Sequence, residues 1–560
     1  MFPSTVLAAA LLSQIDWKAS LDDAKGDRPV LWYVHTVRGT KMDRKDVVDD
    51  YMKYGPWMMP DVVELVSRRF TAVRTPARGE HDIKPLDFIE PGLVFLAPDG
   101  KLIHKIDRIS TFQEDWLVDL LRGVLAKWGK PEPSWDTQLR AAKTPVERAR
   151  ILRKMRRPEE ALKEADDFER GVILLRQAKW QDAVDAFAKV DTPDAHYLRG
   201  AALFNLNRDG REAWDKSGSE KAKAELAGRG PFFRCFEELA WVEPPGGLPT
   251  STTRPSKELD ARRCVALLLR TQRASGVWND SNYDFGGKPS LPNVYMAGTA
   301  LACAALLAWR DVDPKGVDAA IERALPYLAD EKNVAIEPQE IIWAHAYRLF
   351  FYARKPDVKK MNEIVGAIEK LQKKSGVWQH EYNAPFTTAT VLHCLWEAKQ
   401  AGAAVPEAMT KKGAEALASC RSDKGVFSYG YPGKGDRAQG GAGRGPLCEL
   451  ALLLNGASKE ADVRAAVEAG FEHHALLERV RKYDDHADAF RNGGFFFWYD
   501  MLGRVEAIRR LKDGRAKLLE RQREIALSIT EIDGCFVDSH ELGKTYGTAM
   551  GLLVMKLTRD

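Results

Sequence analysis

Several groups of side chains in this 560-residue sequence are of types that do chemistry. Asp484, Asp485, His486 and Asp488, with His540 farther on, offer the oxygen and imidazole donors that a metal ion takes. Nothing in their spacing fixes convergence, so they read as a charged, solvated loop. Tyr429 to Gly445 (YGYPGKGDRAQGGAGRG) sets glycines beside Lys434, Arg437 and Arg444. Free backbone N–H groups and cations of that kind can cradle a phosphate. The stretch fits no P-loop spacing and reads as a loop. Asp311-Val312-Asp313-Pro314 places two acids close together, but Pro314 suits a turn and a helix start. Glu337, Glu340, Glu381 and Asp538 are the carboxylates to check as a pair of general acid and base across one cavity. The cysteines are Cys235, Cys264, Cys303, Cys394, Cys420, Cys448 and Cys535, odd in number and without a CxxC pair. Neither a disulfide framework nor a structural zinc is expected from them.

The elements that must carry these groups fall into distinct stretches. Residues 1–15 hold an apolar run from Val6 to Leu12 and read as a short signal peptide, which implies export to a periplasm or cell envelope. Residues 16–128 alternate short apolar strands (PVLWYVH at 29–35, PGLVFL at 91–96) with helical stretches, an α/β layer pattern. Residues 139–225 are helix-rich, 226–256 form a proline- and glycine-rich linker, and 257–560 are helical throughout. Net charge is +4, from 84 basic and 80 acidic side chains. So full a cancellation excludes binding to nucleic acid or an anionic membrane through bulk charge. No continuous run approaches the eighteen apolar residues of a spanning helix.

The last three hundred residues repeat themselves. LLRTQRASGVW ends at Trp278 and IEKLQKKSGVW at Trp378, and Gln272 and Gln372 each stand six residues before their tryptophan. ALASCRSDKGVF, ending at Phe427, is a third copy. LLERQ, ending at Gln522, with a longer insertion before Phe536, is read as a fourth. A small-residue-rich helix follows each copy, and two further hairpins lie between them, which makes twelve helices in six pairs. At these residues the chain resembles the squalene-cyclase and prenyltransferase superfamily, whose QxxxxGxW motif joins the turns of an (α/α)6 toroid. Two other resemblances are partial. Residues 16–128 are similar to a thioredoxin fold, through the PVLWYV strand and Pro91 before the hairpin, but His35-Thr36-Val37-Arg38 stands where CxxC belongs. Gly171, Leu174, Ala178, Ala183 and Phe187, then Tyr197, Gly200, Leu203, Ala213 and Trp214, resemble tetratricopeptide repeats, with Thr144 to Arg156 as a further helix.

Each resemblance comes without its chemistry. Class II cyclases need DxDD, which is absent. Prenyltransferase zinc needs an Asp two residues before Cys448, where Pro446 stands, and a His near Tyr546. Without CxxC no thiolate can attack a disulfide. The expectation is therefore a non-catalytic binding or scaffold protein, with no cofactor and no metal. Its partner would be a protein or an apolar, elongated ligand held at the starts of the inner helices by Tyr295, His345, Phe386, Arg444, Trp498 and Tyr546. Trp343 and Phe495 would add further aromatic surface there. The alternative is an enzyme acting on an isoprenoid-like or carbohydrate substrate in the toroid cavity with residues the family does not use.

Overall fold

The computed structural model describes residues 15–36, 47–77, 92–106, 109, 111–233, 239–242, 247–249, 255–283, 291–336, 340–435, 439–479, 481, 496–539 and 541–559. The chain is mostly helical with one small mixed sheet, and it divides into two compact units at residues 254/255. The proposed signal segment, Pro91, the 482–495 loop and His540 lie outside the described residues.

In the first unit, β1 (Val30–Thr36), β2 (Thr71–Ala77), β3 (Leu93–Leu96) and β4 (Leu102–Ile106) form a sheet in the order β2-β1-β3-β4. β1 runs parallel to β2 and antiparallel to β3, and β3 and β4 are antiparallel neighbours. A parallel pair needs a crossover, which α1 (Val47–Tyr54) and α2 (Pro60–Arg69) supply. Val30, Leu31, Tyr33 and Val34 are all buried, as a continuous apolar run requires of a strand covered on both faces. α3 (Glu114–Lys127) packs on α2 and buries Trp116, Leu117, Leu120, Leu121 and Val124.

Short helices follow: α4 (Trp135–Ala141), α5 (Pro145–Lys154), α6 (Pro158–Glu164), α7 (Asp167–Arg176), α8 (Trp180–Phe187), α9 (Pro193–Asn205), α10 (Arg211–Ser217) and α11 (Glu220–Leu226). Their starts are written locally. Thr144 and Glu147 make a capping box, while Asp166, Thr192 and Ser219 accept hydrogen bonds from N–H groups of the first turn. α5 packs on α6, α7 on α8 and α9 on α10. The small residues let these helices meet: a methyl on Gly171 would lie 2.6 Å from the Phe187 ring, and one on Gly200 2.5 Å from Trp214. Ala178 sits in the turn between α7 and α8 with φ +60°. This helical stretch is tied by ion pairs to α2 and α3. Arg153 pairs with Glu169 and, at 3.3 Å, with Asp115 of α3; Arg176 reaches Asp115 at 3.1 Å, and Lys154 reaches Asp61 of α2 at 2.8 Å. Within the stretch read as linker, Leu239 and Val242 are buried, and Gln113 donates to the Ala240 carbonyl at 2.7 Å.

The second unit has two sets of helices. One set is α12 (Ala261–Thr271), α14 (Pro314–Ala329), α16 (Val358–Leu371), α18 (Glu407–Ser419), α20 (Glu460–Glu472) and α23 (Arg515–Ser528). The other is α13 (Leu291–Ala308), α15 (Ile341–Arg354), α17 (Pro385–Gln400), α19 (Gly445–Leu454), α22 (Phe497–Arg509) and α24 (Gly543–Leu557), with the short α21 (His474–Arg479) between α20 and α22. In the second set each helix packs on the next, and α24 packs back on α13. α13 and α19 are apolar nearly all round, which calls for burial, while α22 buries Asp500, Arg504 and Glu506 among its apolar residues; most side chains of the six are buried. α13 is one 18-residue helix long and apolar enough to cross a membrane by length and composition, although polar residues interrupt its apolar run; 61% of it is buried inside the unit.

Candidate functional site

Four turns of one geometry position the site. Each carries the chain from a first-set helix to a buried aromatic: Gln272 to Trp278, Gln372 to Trp378, Arg421 to Phe427 and Thr530 to Phe536. In each, the second residue donates its N–H to the carbonyl of the sixth, Arg273 to Val277 and Ser422 to Val426 at 2.9 Å, Lys373 to Val377 at 3.0 Å, and Glu531 to Cys535 at 2.9 Å. The fifth residue is a glycine with φ +86°, +96°, +76° and +77° in turn, a conformation that penalises any Cβ. This corrects the fourth copy. Gln522 lies within α23, donating to the Met501 carbonyl at 3.0 Å. The turn residue is Thr530, and there is no insertion. The glycine and the buried ring, and not the glutamine, define the turn.

Where the glutamine is present it staples two helices. Gln272 Nε2 donates to the carbonyls of Gly276 (3.0 Å) and Ala320 of α14 (2.8 Å). Gln372 Nε2 does the same with Gly376 (2.9 Å) and Met409 of α18 (3.0 Å). Each tryptophan indole satisfies a carbonyl near the helix end, Leu268 for Trp278 and Ile368 for Trp378, both at 2.8 Å. In the third copy Arg421 instead pairs with Glu449 (2.5 Å) and Asp462 (3.3 Å). Nothing lies within 4 Å of a methyl built on Gly425, whereas one on Gly276 or Gly376 would strike the next helix. The turn has come away from α20 there and leaves an open groove of about 570 Å³, walled by Ala442, Ala465, Ala466 and Ala469.

Two residues past each aromatic stand Asp280, His380, Tyr429 and Asp538, in the segments that lead to the buried helices. Asp280 is buried and accepts from Thr545 N–H at 2.9 Å, in the first turn of α24. Burial raises its carboxyl above the usual range. Asp538 is fully buried, accepts from Trp498 N–H at 2.8 Å, and is pushed up to about 7 by burial. Asp280, Ser281, Tyr283, Tyr295, Glu340, Trp343, Tyr347, Thr545 and Tyr546 line a narrow cavity of about 40 Å³. Glu340, immediately before α15, has φ +62° and is only 1% exposed. Glu340, His380 and Glu381 each bring a donor atom within 4.8 Å of the others, with His380 Nδ1 3.7 Å from Glu340 Oε1. Tyr283 donates to Glu381 Oε1 at 3.3 Å. Burial holds the His380 imidazole down at about 4, so it is neutral at pH 7.

Of the six residues expected to bind, Tyr295 and Tyr546 meet in this cavity. Phe386 is fully buried against His380, Tyr429 and Tyr499. Trp498 is buried against Phe536 and donates to the Val537 carbonyl at 3.2 Å. Arg444 is buried and donates to the carbonyls of Phe427 (2.9 Å), Ser428 (2.8 Å) and Gly440, so it ties down the glycine-rich loop from inside. His345 faces Arg348 and the Glu331 side, and burial and Arg348 hold it down at about 4. Asp313 caps α14, as its proline neighbour implies. Cys448 is fully buried, its thiol raised well above its ordinary value by burial. Phe495 and Glu337 lie outside the described residues. Asp280 and His380 escaped the sequence reading, although their shared place two residues after the motif tryptophan was visible in it. No known family model matches this chain, and no curated protein is significantly similar to it.

Proposed function

We propose that this protein is a non-catalytic binding or scaffold protein. In this reading its second unit is an (α/α)6 toroid, its sheet domain is thioredoxin-like without thiol chemistry, and its short hairpins are tetratricopeptide-like. The cyclic packing of α13, α15, α17, α19, α22 and α24 supports the toroid, and the β2-β1-β3-β4 order supports the thioredoxin-like domain. The observation that carries the functional reading is the narrowness of the cavity at the starts of the buried helices. The cavity lined by Tyr283, Tyr295, Trp343 and Tyr546 measures about 40 Å³, against the roughly 300 Å³ of a typical organic-ligand pocket. That narrowness favours a protein partner over an elongated apolar ligand. The groove beside Gly425 suits an extended peptide: alanine walls admit a main chain, and Arg421, Lys424, Asp423 and Asp462 can bond its amides and side chains.

The test has two arms on the full chain. Incubation with isoprenoid diphosphates and with oligosaccharides is expected to yield no product, and turnover of either would overturn the reading. Selection from a random peptide library is expected to enrich binders that lose affinity for Ala466→Trp, which fills the groove. Binders indifferent to that change, or no enrichment at all, would remove the groove as the docking site.

A further inference from the structure

We propose that Glu340, His380 and Glu381 form a binding site for a divalent first-row transition ion, of the Zn²⁺ kind, beside the cavity that Glu340 lines. This departs from the sequence expectation of no metal. It rests on residues that no family zinc pattern includes.

The geometry comes first. His380 Nδ1 and Glu340 Oε1 are 3.7 Å apart, beyond hydrogen-bond length. Two ligands bound at about 2.0–2.2 Å to one ion stand roughly 3.4–3.7 Å apart when the angle between them is tetrahedral or somewhat wider. The Glu381 oxygen lies within 4.8 Å of both, so small side-chain rotations complete a three-ligand face. The scaffold is set independently of any ion. His380 and Glu381 sit in the bridge turn between Gln379 and Asn383, directly after the Trp378 staple. Glu340 is held inward at the start of α15 by a left-handed backbone that a glutamate adopts only under constraint. The rings of Trp343, Tyr382 and Phe386 wall the imidazole at 5.9, 4.7 and 5.5 Å.

The surroundings fit a metal in two further respects. Glu340 also lines the cavity, whose volume of about 40 Å³ is enough to admit a water molecule as a further ligand. Tyr283, on the cavity wall, hydrogen-bonds Glu381 and orients it from the outer shell. One nitrogen and two oxygens suit Zn²⁺, Mn²⁺ or Fe²⁺ better than thiophilic ions.

A second trio, His393, Glu397 and Glu506, also brings donors within 4.8 Å. Its cation is already present: Arg354 bonds both Glu397 oxygens at 2.7 and 3.0 Å and lies 3.5 Å from Glu506. That trio is an ion-pair cluster and serves as the internal control.

The experiment titrates Zn²⁺ into chelator-treated full-length protein by calorimetry. One ion per chain is expected. His380→Ala should abolish binding, and Glu340→Gln and Glu381→Gln should each weaken it by at least about tenfold. His393→Ala should leave it unchanged. Circular dichroism melts report whether each variant folds, and Glu381→Gln, at a half-buried position, keeps the test open if His380→Ala does not. Co²⁺ substitution should show ligand-field bands that His380→Ala removes. Absence of saturable binding by the wild-type protein, or binding that survives both His380→Ala and Glu381→Gln, overturns the proposal.

Discussion

At the scale of single residues, burial decides what each polar group can do. Trp378 is fully buried and its indole satisfies a helix-end carbonyl. Trp378→Ala is expected to lower stability by about 3–5 kcal/mol, from lost burial and the cavity left behind. An unchanged denaturation midpoint would show that the motif does not hold the repeat together. Glu114 shows the electrostatic side of burial. It accepts from Asp61 N–H at 3.3 Å, and burial, with Asp61 and Asp115 close by, pushes its carboxyl from 4.5 up to about 7. The folded protein therefore holds this proton more tightly than the unfolded chain does. Its contribution is fully present below about pH 4.5 and is lost as pH rises through 7. Glu114→Gln keeps an acceptor without the charge, so it should melt higher than the wild type at pH 8. The gap should close near pH 4.5, and a gap independent of pH would contradict the assignment.

Among the elements, the four turns share a backbone while their side chains diverge. Gly376 and Gly425 both have positive φ, so alanine at either carries the left-handed penalty of about 1–2 kcal/mol. Only at Gly376 does the added methyl also meet a backbone oxygen, Lys412 O, at 2.5 Å. Gly376→Ala should therefore lose about 1–3 kcal/mol more than Gly425→Ala in denaturant melts. Equal losses would mean that the third turn is as tightly packed as the second and that the groove closes in solution. The same comparison explains Arg421. There the longer guanidinium takes the place of a glutamine staple, pairing with Glu449 of α19 and Asp462 of α20.

Across the whole molecule, each unit has its own closed set of contacts. The buried helices of the second unit complete their cycle from α13 to α24 without any residue before Pro255. Residues 255–560 expressed alone are therefore expected to give native-like helicity and one cooperative thermal transition. A molten far-ultraviolet signal without cooperativity would show that the first unit is needed to fold the second. In the first unit, Arg153, Lys154 and Arg176 tie the short hairpins to α2 and α3. Those hairpins are thus part of the unit's body.

What the sequence determines by itself is local. A glycine followed two residues later by a buried aromatic specifies the turn, because backbone conformation and one short hydrogen bond are settled within seven residues. Gln272 and Gln372 announced it, and apolar stretches such as 385–400 announced the helices that must be buried. The lack of CxxC, of DxDD and of the prenyltransferase zinc pattern was equally legible, since each is a statement about residue types at fixed spacing. What only the tertiary structure decides is convergence. That Thr530 rather than Gln522 heads the fourth turn is shown by the hydrogen bond from Glu531 N–H to the Cys535 carbonyl, which closes the turn around Gly534. Asp280 meets Thr545 across 265 positions of sequence, and Glu340 meets His380 across forty, because the first and last buried helices pack together and neighbouring ones share an end. Arg444 looked like a cation awaiting an anion, and its burial turned it onto its own loop's carbonyls. Solvent exclusion is a property of the closed fold, so the sequence could supply these groups without stating which of them face a cavity and which are consumed in holding it shut.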